Sequence, residues 1–145
     1  MRACRVAAGI VVAGMLATGT ATAADGTQLF AENCSACHQA DGSGAAGLAP
    51  PLRGDQWKRL GDKSQPYLAS VLVSGLVGVP LDGQRYSVAM PPWAQLSDPE
   101  LVAIGSFVLQ KLNGEKKGLS RAAVKEARTA NRDNVALKRL RDGES

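Results

Sequence analysis

Two cysteines and a histidine at fixed spacing are the residues of this chain best suited to chemistry. Cys34, Cys37 and His38 form a C-x-x-C-H sequence. On a helical turn, two thiols at this spacing match the distance between the vinyl groups of a porphyrin, and each thiol can add to one vinyl group as a thioether. The histidine that follows is then held beneath the ring, where its imidazole can bind iron. The motif therefore predicts one covalently attached haem c.

Three other uses of the motif compete with haem attachment. A thioredoxin-like redox pair needs a βαβ setting, and no strand-like run precedes Cys34. A structural zinc site usually takes four ligands, whereas the chain beyond residue 24 has two cysteines and one histidine. A disulfide between Cys34 and Cys37 stays open for an exported protein, but it leaves the adjacent His38 unexplained.

Met90 is the residue that can complete the coordination of a haem iron. The chain has a single histidine, so it cannot form a bis-histidine haem unaided. Met1 and Met15 lie in the N-terminal leader described below, which leaves Met90 as the available thioether. Pro91 and Pro92 stiffen the loop that must hold it against the iron. His/Met ligation recurs in cytochromes; the alternative is a loop methionine that fills a packing gap.

A rigid segment downstream of the motif is suited to orient the histidine. Pro50 and Pro51, within residues 48–54, fix the backbone and remove two N–H donors, so the segment presents carbonyl oxygens. An iron-bound histidine needs an acceptor for its free ring N–H. We expect this segment to supply it; a plain proline-rich turn is the alternative.

Three helices must position these groups, and each carries its own start signal. They are predicted over residues 25–33, 64–74 and 97–113. Asp25, Ser64 and Ser97 are the expected N-caps, the last within a capping box closed by Glu100. Gly105 lowers helix propensity inside the third helix, so we expect a close helix crossing there.

Residues 1–24 have the composition of an export signal. Arg2 and Arg5 precede a short apolar run, and the small residues up to position 24 allow cleavage after Ala23 or Ala24. The apolar run falls short of the ~20 residues that span a bilayer, which disfavours an uncleaved anchor. We expect a cleaved signal peptide and a mature protein in the periplasm, either soluble or associated with the membrane.

The charge of the chain divides it at residue 113. Residues 25–113 carry six Lys or Arg against eight Asp or Glu, whereas residues 114–145 carry nine against five. We call residues 114–145 the extension. No aromatic residues accompany its basic ones, so nucleic acid is not an expected partner. We expect the extension to be partly helical or disordered, with helices over 120–130 and 134–141 capped by Ser120 and Asn134. It either is a solvated appendage or docks an acidic partner or membrane surface.

Residues 25–113 resemble a class I c-type cytochrome domain of the bacterial monohaem kind. The match includes Gly26 and Phe30 on the first helix, Ile104 and Phe107 on the last, and the run from Tyr86 through Met90-Pro91-Pro92-Trp93 to Glu100. The resemblance implies an all-α cytochrome c fold, with three to five helices around one haem c bound through Cys34 and Cys37. It also implies that the Pro50 carbonyl accepts from His38, and that Trp57 and Arg85 bind the haem propionates. The extension is a departure from the family pattern.

These residues together indicate electron transfer. With His38 and Met90 both on the iron, no coordination position stays open, and the thioether raises the reduction potential. We expect a periplasmic one-electron carrier, either a free shuttle or the cytochrome subunit of a dehydrogenase or reductase complex. Its expected partners are redox proteins, such as a periplasmic dehydrogenase or a terminal oxidase or reductase. The alternative is a haem enzyme or ligand sensor in which Met90 is labile.

Overall fold

The computed structural model describes residues 24–143, so the predicted signal peptide lies outside the described residues except for Ala24. The regular secondary structure of these residues is helical, apart from three isolated two-residue bridges, which confirms the expected all-α fold class. Its α-helices are α1 (Gly26–Asn33), α2 (Ser35–His38), α3 (Gln56–Leu60), α4 (Ser64–Ser74), α5 (Asp98–Ser106), α6 (Arg121–Ala130) and α7 (Asn134–Asp142). Five of them belong to residues 25–113, as expected. Within residues 24–143, no helix has the length and apolar character needed to cross a bilayer.

Helices α1 and α5 cross at a glycine. A Cβ at Gly26 would collide with the carbonyl oxygen of Ala103 on α5, so only glycine allows the two backbones to approach so closely. Beside the crossing, the rings of Phe30 and Phe107 lie 4.8 Å apart. Asp25 caps α1 as expected, because its side chain accepts from the Thr27 amide at 2.9 Å. The crossing fixes the end of α1, from which the C-x-x-C-H segment continues.

Helix α4 is the central element and is buried along most of its length. It has the predicted bounds, but Ser64 is its first residue rather than its cap. A 3₁₀ turn at Gly61–Lys63 runs directly into the helix, and no side chain caps it. The preceding turn supplies helical backbone geometry, so a separate serine cap is not needed there.

Helix α5 begins with the predicted capping box. Glu100 accepts from the Ser97 amide at 2.7 Å and from the Ser97 hydroxyl at 2.6 Å. The helix continues into a π-helical segment, Phe107–Leu112, and ends at Asn113. Gly105 is not at a helix crossing, contrary to our expectation. A Cβ there would instead collide with Leu119 of the extension.

The extension packs on α4 and α5 and shares their core, so it is not a solvated appendage outside the folded body. Leu119, Val124 and Leu137 are almost completely buried in the same cluster as Phe30 and Leu101. Burying these sparse apolar side chains against α4 stabilises the extension as ordered helices. The helical segments match the prediction within one residue, and Ser120 caps α6.

The cap of α7 is Asp133, not Asn134. The Asp133 carboxylate accepts from the Ala136 amide at 2.8 Å. The side chain of Asn134 is used elsewhere, since its Oδ1 atom accepts from the Val77 amide at 3.0 Å, just beyond the end of α4. An amide side chain and a carboxylate are comparable caps, so this long-range contact decides between the two residues.

Candidate functional site

Two adjoining cavities of about 130 and 400 Å³ lie between the C-x-x-C-H segment and Met90. We call them the small and the large cavity. The residues that line both are Cys34, His38, Pro50, Leu76, Leu81, Tyr86 and Met90. The large cavity has the size of a small-molecule or cofactor site. The structure therefore places the C-x-x-C-H segment and Met90, which are far apart in the sequence, around one mostly apolar space.

The two cysteines are free thiols at the junction of α1 and α2. Cys34 ends α1, with its amide donating to the Phe30 carbonyl at 2.9 Å, and α2 continues from it to His38. Burial, with a smaller contribution from Cys37, raises the pKa of the Cys34 thiol to about 11.

His38 is buried and held by one hydrogen bond. Its Nδ1 atom lies 2.9 Å from the carbonyl oxygen of Pro50. A carbonyl only accepts, so Nδ1 carries the proton and Nε2 is the nitrogen with a free lone pair. Burial lowers the pKa of His38, partly opposed by the hydrogen bond to Pro50. The imidazole is therefore neutral at neutral pH, which is the form that binds a metal.

Asn113, which follows the π-helical segment, stabilises the segment that carries Pro50. The Asn113 amide nitrogen donates to the carbonyls of Leu52 and Val108, each at 2.8 Å, and its oxygen accepts from the Gly54 amide at 2.9 Å. The Trp57 indole N–H donates to the same Leu52 carbonyl at 2.7 Å. Nothing local in the sequence indicates these contacts, because Leu52 and Gly54 lie about 60 positions from Asn113.

The loop that carries Met90 is fixed to the end of α4 by its backbone. Met90 and Leu76 exchange two amide–carbonyl hydrogen bonds of 2.9 and 3.0 Å, and the Trp93 amide donates to the Leu72 carbonyl at 2.8 Å. Gly75, the residue before Leu76, has a φ of +73°, and a Cβ there would be 2.6 Å from the Met90 carbonyl oxygen. A glycine at this point is required for the loop to approach α4.

The two residues expected to bind propionates are placed differently. Trp57 is buried and lines the large cavity, but its N–H is already used by the Leu52 carbonyl. Arg85 is exposed and lines neither cavity. The charged residues that do line the large cavity are Arg59, Asp82, Arg141 and Asp142. Arg141 and Asp142 belong to the extension, which the sequence did not indicate as part of the site.

The side chains around the cavities fit a haem c. They supply two thiols on one helical turn, a neutral imidazole with a free Nε2, and a thioether in a loop pinned by its backbone. The remaining lining is largely apolar, as a macrocycle requires. Among residues 24–143, no group of three or more His, Cys, Asp or Glu could hold a bare metal ion. The donor set therefore suits iron within a porphyrin rather than an ion bound by protein alone.

Comparison with known proteins agrees with this chemistry. The family model described as Cytochrome c matches residues 23–111. A cytochrome c-552 of Thermus thermophilus is 36% identical over 110 residues, which cover 74% of each chain. The cytochrome c subunit of alcohol dehydrogenase (quinone) from Gluconacetobacter polyoxogenes is 29% identical over 77% of this chain and 24% of its own length. The cbb3-type cytochrome c oxidase subunit CcoP of Azospirillum brasilense is 33% identical over 68% of this chain and 31% of its own length.

The family match extends from the residue before the described region almost to the end of the π-helical segment, and so covers both the cysteines and Met90. The cofactor of this family is haem c, and Cys34 and Cys37 are in the arrangement that attaches it. The chain belongs to the cytochrome c family and is an electron-transfer protein rather than an enzyme.

Proposed function

We propose that this protein is a periplasmic one-electron carrier whose haem iron is bound by His38 and Met90. The observation that carries the proposal is that both side chains line the same cavities. The His38 ring is held by its hydrogen bond to the Pro50 carbonyl, and the backbone of Met90 is held by two hydrogen bonds to Leu76. Rigid ligands keep the coordination the same in both oxidation states. Bound in this way, haem supplies reversible one-electron chemistry at a potential raised by the thioether.

The residues around the cavities favour a carrier over a haem enzyme. Peroxide or oxygen chemistry commonly uses an open iron position and a second histidine as acid or base. The chain has only His38, and its Nδ1 proton is already donated to Pro50. Met90 is held by two backbone hydrogen bonds to Leu76, which opposes its release from the iron.

Electrons would enter and leave at the exposed rim of the small cavity. Val88 lines that cavity and is 49% exposed, and Val77, on the segment that leads to Gly78, is 53% exposed. Exposed apolar side chains beside a redox centre are suited to brief contact with another redox protein. The names of the relatives, a dehydrogenase subunit and an oxidase subunit, support partners of this class. The proposed carrier is either a free shuttle or a subunit of a larger complex.

Export through a cleaved signal peptide, residues 1–24, is part of the proposal. The basic start, short apolar run and small residues before Asp25 support it. The intact mass of protein released from the periplasm of an expressing cell tests it. A mass that begins at Ala24 or Asp25 and includes one haem is the expected result, and a full-length mass in the membrane fraction would contradict it.

We propose that docking by the extension uses only part of its positive charge. Arg128, Arg132 and Arg141 are engaged within the fold. The exposed cations of the extension whose side chains form no ion pair or hydrogen bond among the described residues are Lys116, Lys117, Arg121, Lys125 and Arg139. Replacing these five with glutamine should weaken binding to an acidic redox partner at low salt and leave unfolding unchanged.

The absorption spectrum of the ferric protein tests the ligation. A weak sulfur-to-iron charge-transfer band in the far-red region is expected for the wild type and for Val88→Ala, a matched change at the cavity rim. Met90→Leu keeps the side-chain volume but removes the sulfur, so the band should be lost and carbon monoxide should bind the ferrous form readily. If the wild type lacks the band and binds carbon monoxide, Met90 is not a stable ligand and the enzyme or sensor alternative is favoured.

A further inference from the structure

Helix α7 places a charged side chain against the large cavity. Arg141 is near the end of α7, its side chain is only 19% exposed, and it lines the cavity together with the buried Tyr67 of α4. A guanidinium is rarely placed in such a position without partners, because desolvating a charge is costly. The partners of Arg141 therefore indicate what the position is for.

Two hydrogen bonds hold Arg141 in place. Its Nε atom donates to the Asp142 carboxylate at 2.8 Å, and its Nη1 atom donates to the Pro80 carbonyl at 2.8 Å. Tyr67 of α4 lies close enough to interact electrostatically with the guanidinium. The guanidinium is thus fixed by α7 and by the loop after α4, beside a side chain of α4.

The fixed side chains still have hydrogen-bonding capacity. A guanidinium has five N–H groups, and the hydrogen bonds to Asp142 and Pro80 use two of them. The Tyr67 hydroxyl is also a hydrogen-bond donor, and Tyr67 lines the same cavity as Arg141. Two neighbouring groups on the cavity surface can therefore still donate, which is the arrangement that binds a carboxylate.

We infer that Arg141 and Tyr67 bind a carboxylate of the cofactor in the large cavity, so that α7 of the extension completes the cofactor site. The inference rests on the proposed function, since haem c provides the carboxylates as its two propionates. It also gives the basic extension a role inside the molecule that differs from docking.

The other arginines of the region are less suited to this task. Arg85, which the resemblance indicated, is exposed and lines neither cavity. Arg59 lines the large cavity, but its side chain is 58% exposed, and both contacts of its guanidinium go to the Asp82 side chain, which is 78% exposed. A cation in solvent binds an anion weakly, whereas the desolvated Arg141 binds it more strongly.

The reduction potential of the holoprotein tests the inference. A cation beside the haem disfavours the ferric state, so Arg141→Gln should lower the reduction potential. We expect the ferrous-to-ferric ratio at a fixed potential to fall three- to tenfold. This corresponds to a fall of about 28 to 59 mV in the reduction potential, at 59 mV per tenfold change. Arg141→Lys keeps the charge and should shift the ratio less. Arg139→Gln removes an exposed cation from the same helix and serves as the control. The haem propionate bending modes in resonance Raman spectra should change in Arg141→Gln but not in Arg139→Gln.

A purely structural role for Arg141 predicts a different pattern. In that case the glutamine and lysine variants would shift the potential equally, and the propionate modes would stay as in the wild type; that result overturns the inference. If Arg141→Gln does not fold, Tyr67→Phe removes only the hydroxyl, and unchanged propionate modes in that variant overturn it as well. A purified chain with no covalent haem would instead refute the proposed function itself.

Discussion

Substitution of Gly75 tests whether close contact with α4 keeps Met90 on the iron. Gly75 has φ 73° and ψ −176°, a region that is essentially restricted to glycine and costs other residues of order 1–3 kcal/mol. An alanine Cβ would also lie 2.6 Å from the Met90 oxygen and 2.9 Å from the Pro92 nitrogen. Both are backbone atoms, so the methionine loop must move by about 0.4 Å to reach even a tight 3.0 Å contact.

We expect Gly75→Ala to destabilise the protein by roughly 2–6 kcal/mol, the sum of backbone strain and overpacking. The shift strains the two hydrogen bonds between Leu76 and Met90, so the sulfur-to-iron band should weaken and carbon monoxide should bind the ferrous form. Gly78→Ala is the matched control. Gly78 also has a positive φ, but a Cβ there meets no atom within 4 Å, so it should cost only about 1–2 kcal/mol of strain and keep the band.

Denaturant unfolding of the two variants, followed by circular dichroism, gives the free energies, and the far-red spectrum reports the ligand. The reasoning is refuted if both variants lose the same free energy and both keep the band at wild-type intensity. That outcome would mean that the Met90 loop adapts to a Cβ at Gly75 without cost, and that contact with α4 does not hold the ligand.

Two further predictions concern groups around the site. Asn113→Ala removes three hydrogen bonds and leaves the Val108 carbonyl and the Gly54 amide without this partner, so unfolding should be easier by roughly 1–3 kcal/mol in denaturant titrations; a loss below about 0.5 kcal/mol would contradict the bracing role. Arg141 and Lys138 lower the pKa of Asp142 to about 2 from its ordinary 3.8. Because the folded pKa is the lower one, this stabilisation is complete above about pH 4 and is lost as the pH falls towards 2. Thermal unfolding should show a smaller acid loss in Asp142→Asn than in the wild type, and equal losses would refute the assignment.

The parts of the site that sequence reasoning places well are those encoded locally. The C-x-x-C-H segment and the capping box at Ser97 each lie within a few residues. Spacing and residue type determine such features almost alone. For His38 the residues indicate only that the proline segment supplies a carbonyl; the resemblance implies that it is Pro50, whose carbonyl oxygen lies 2.9 Å from His38 Nδ1. The helix bounds follow from the same local signals, and they agree with the structure within one residue for α1, α4, α6 and α7.

The parts that sequence reasoning misplaces depend on long-range packing. The contacts of Asn113 with Leu52 and of Arg141 with Pro80 each join residues 61 positions apart, and no periodicity indicates them. The extension has few large apolar residues, so composition favoured a solvated segment. Its small residues decide the packing: Ala123 and Ala127 lie with Val124 on one buried face of α6, and alanines permit close contact with α4.

The positions of the arginines in the extension determine which experiments can address its role. Arg128 donates to Asp98 and to the carbonyls of Ala94 and Leu96, which connect the methionine loop to α5. Arg132 donates to the buried hydroxyl of Ser70 on α4. Truncation after Asn113 would remove these contacts together with the buried Leu119 and Leu137. A shortened chain would therefore lose stability, and with it ligand geometry, before any loss of docking could be measured. Only substitution of the exposed, unengaged cations separates partner binding from folding.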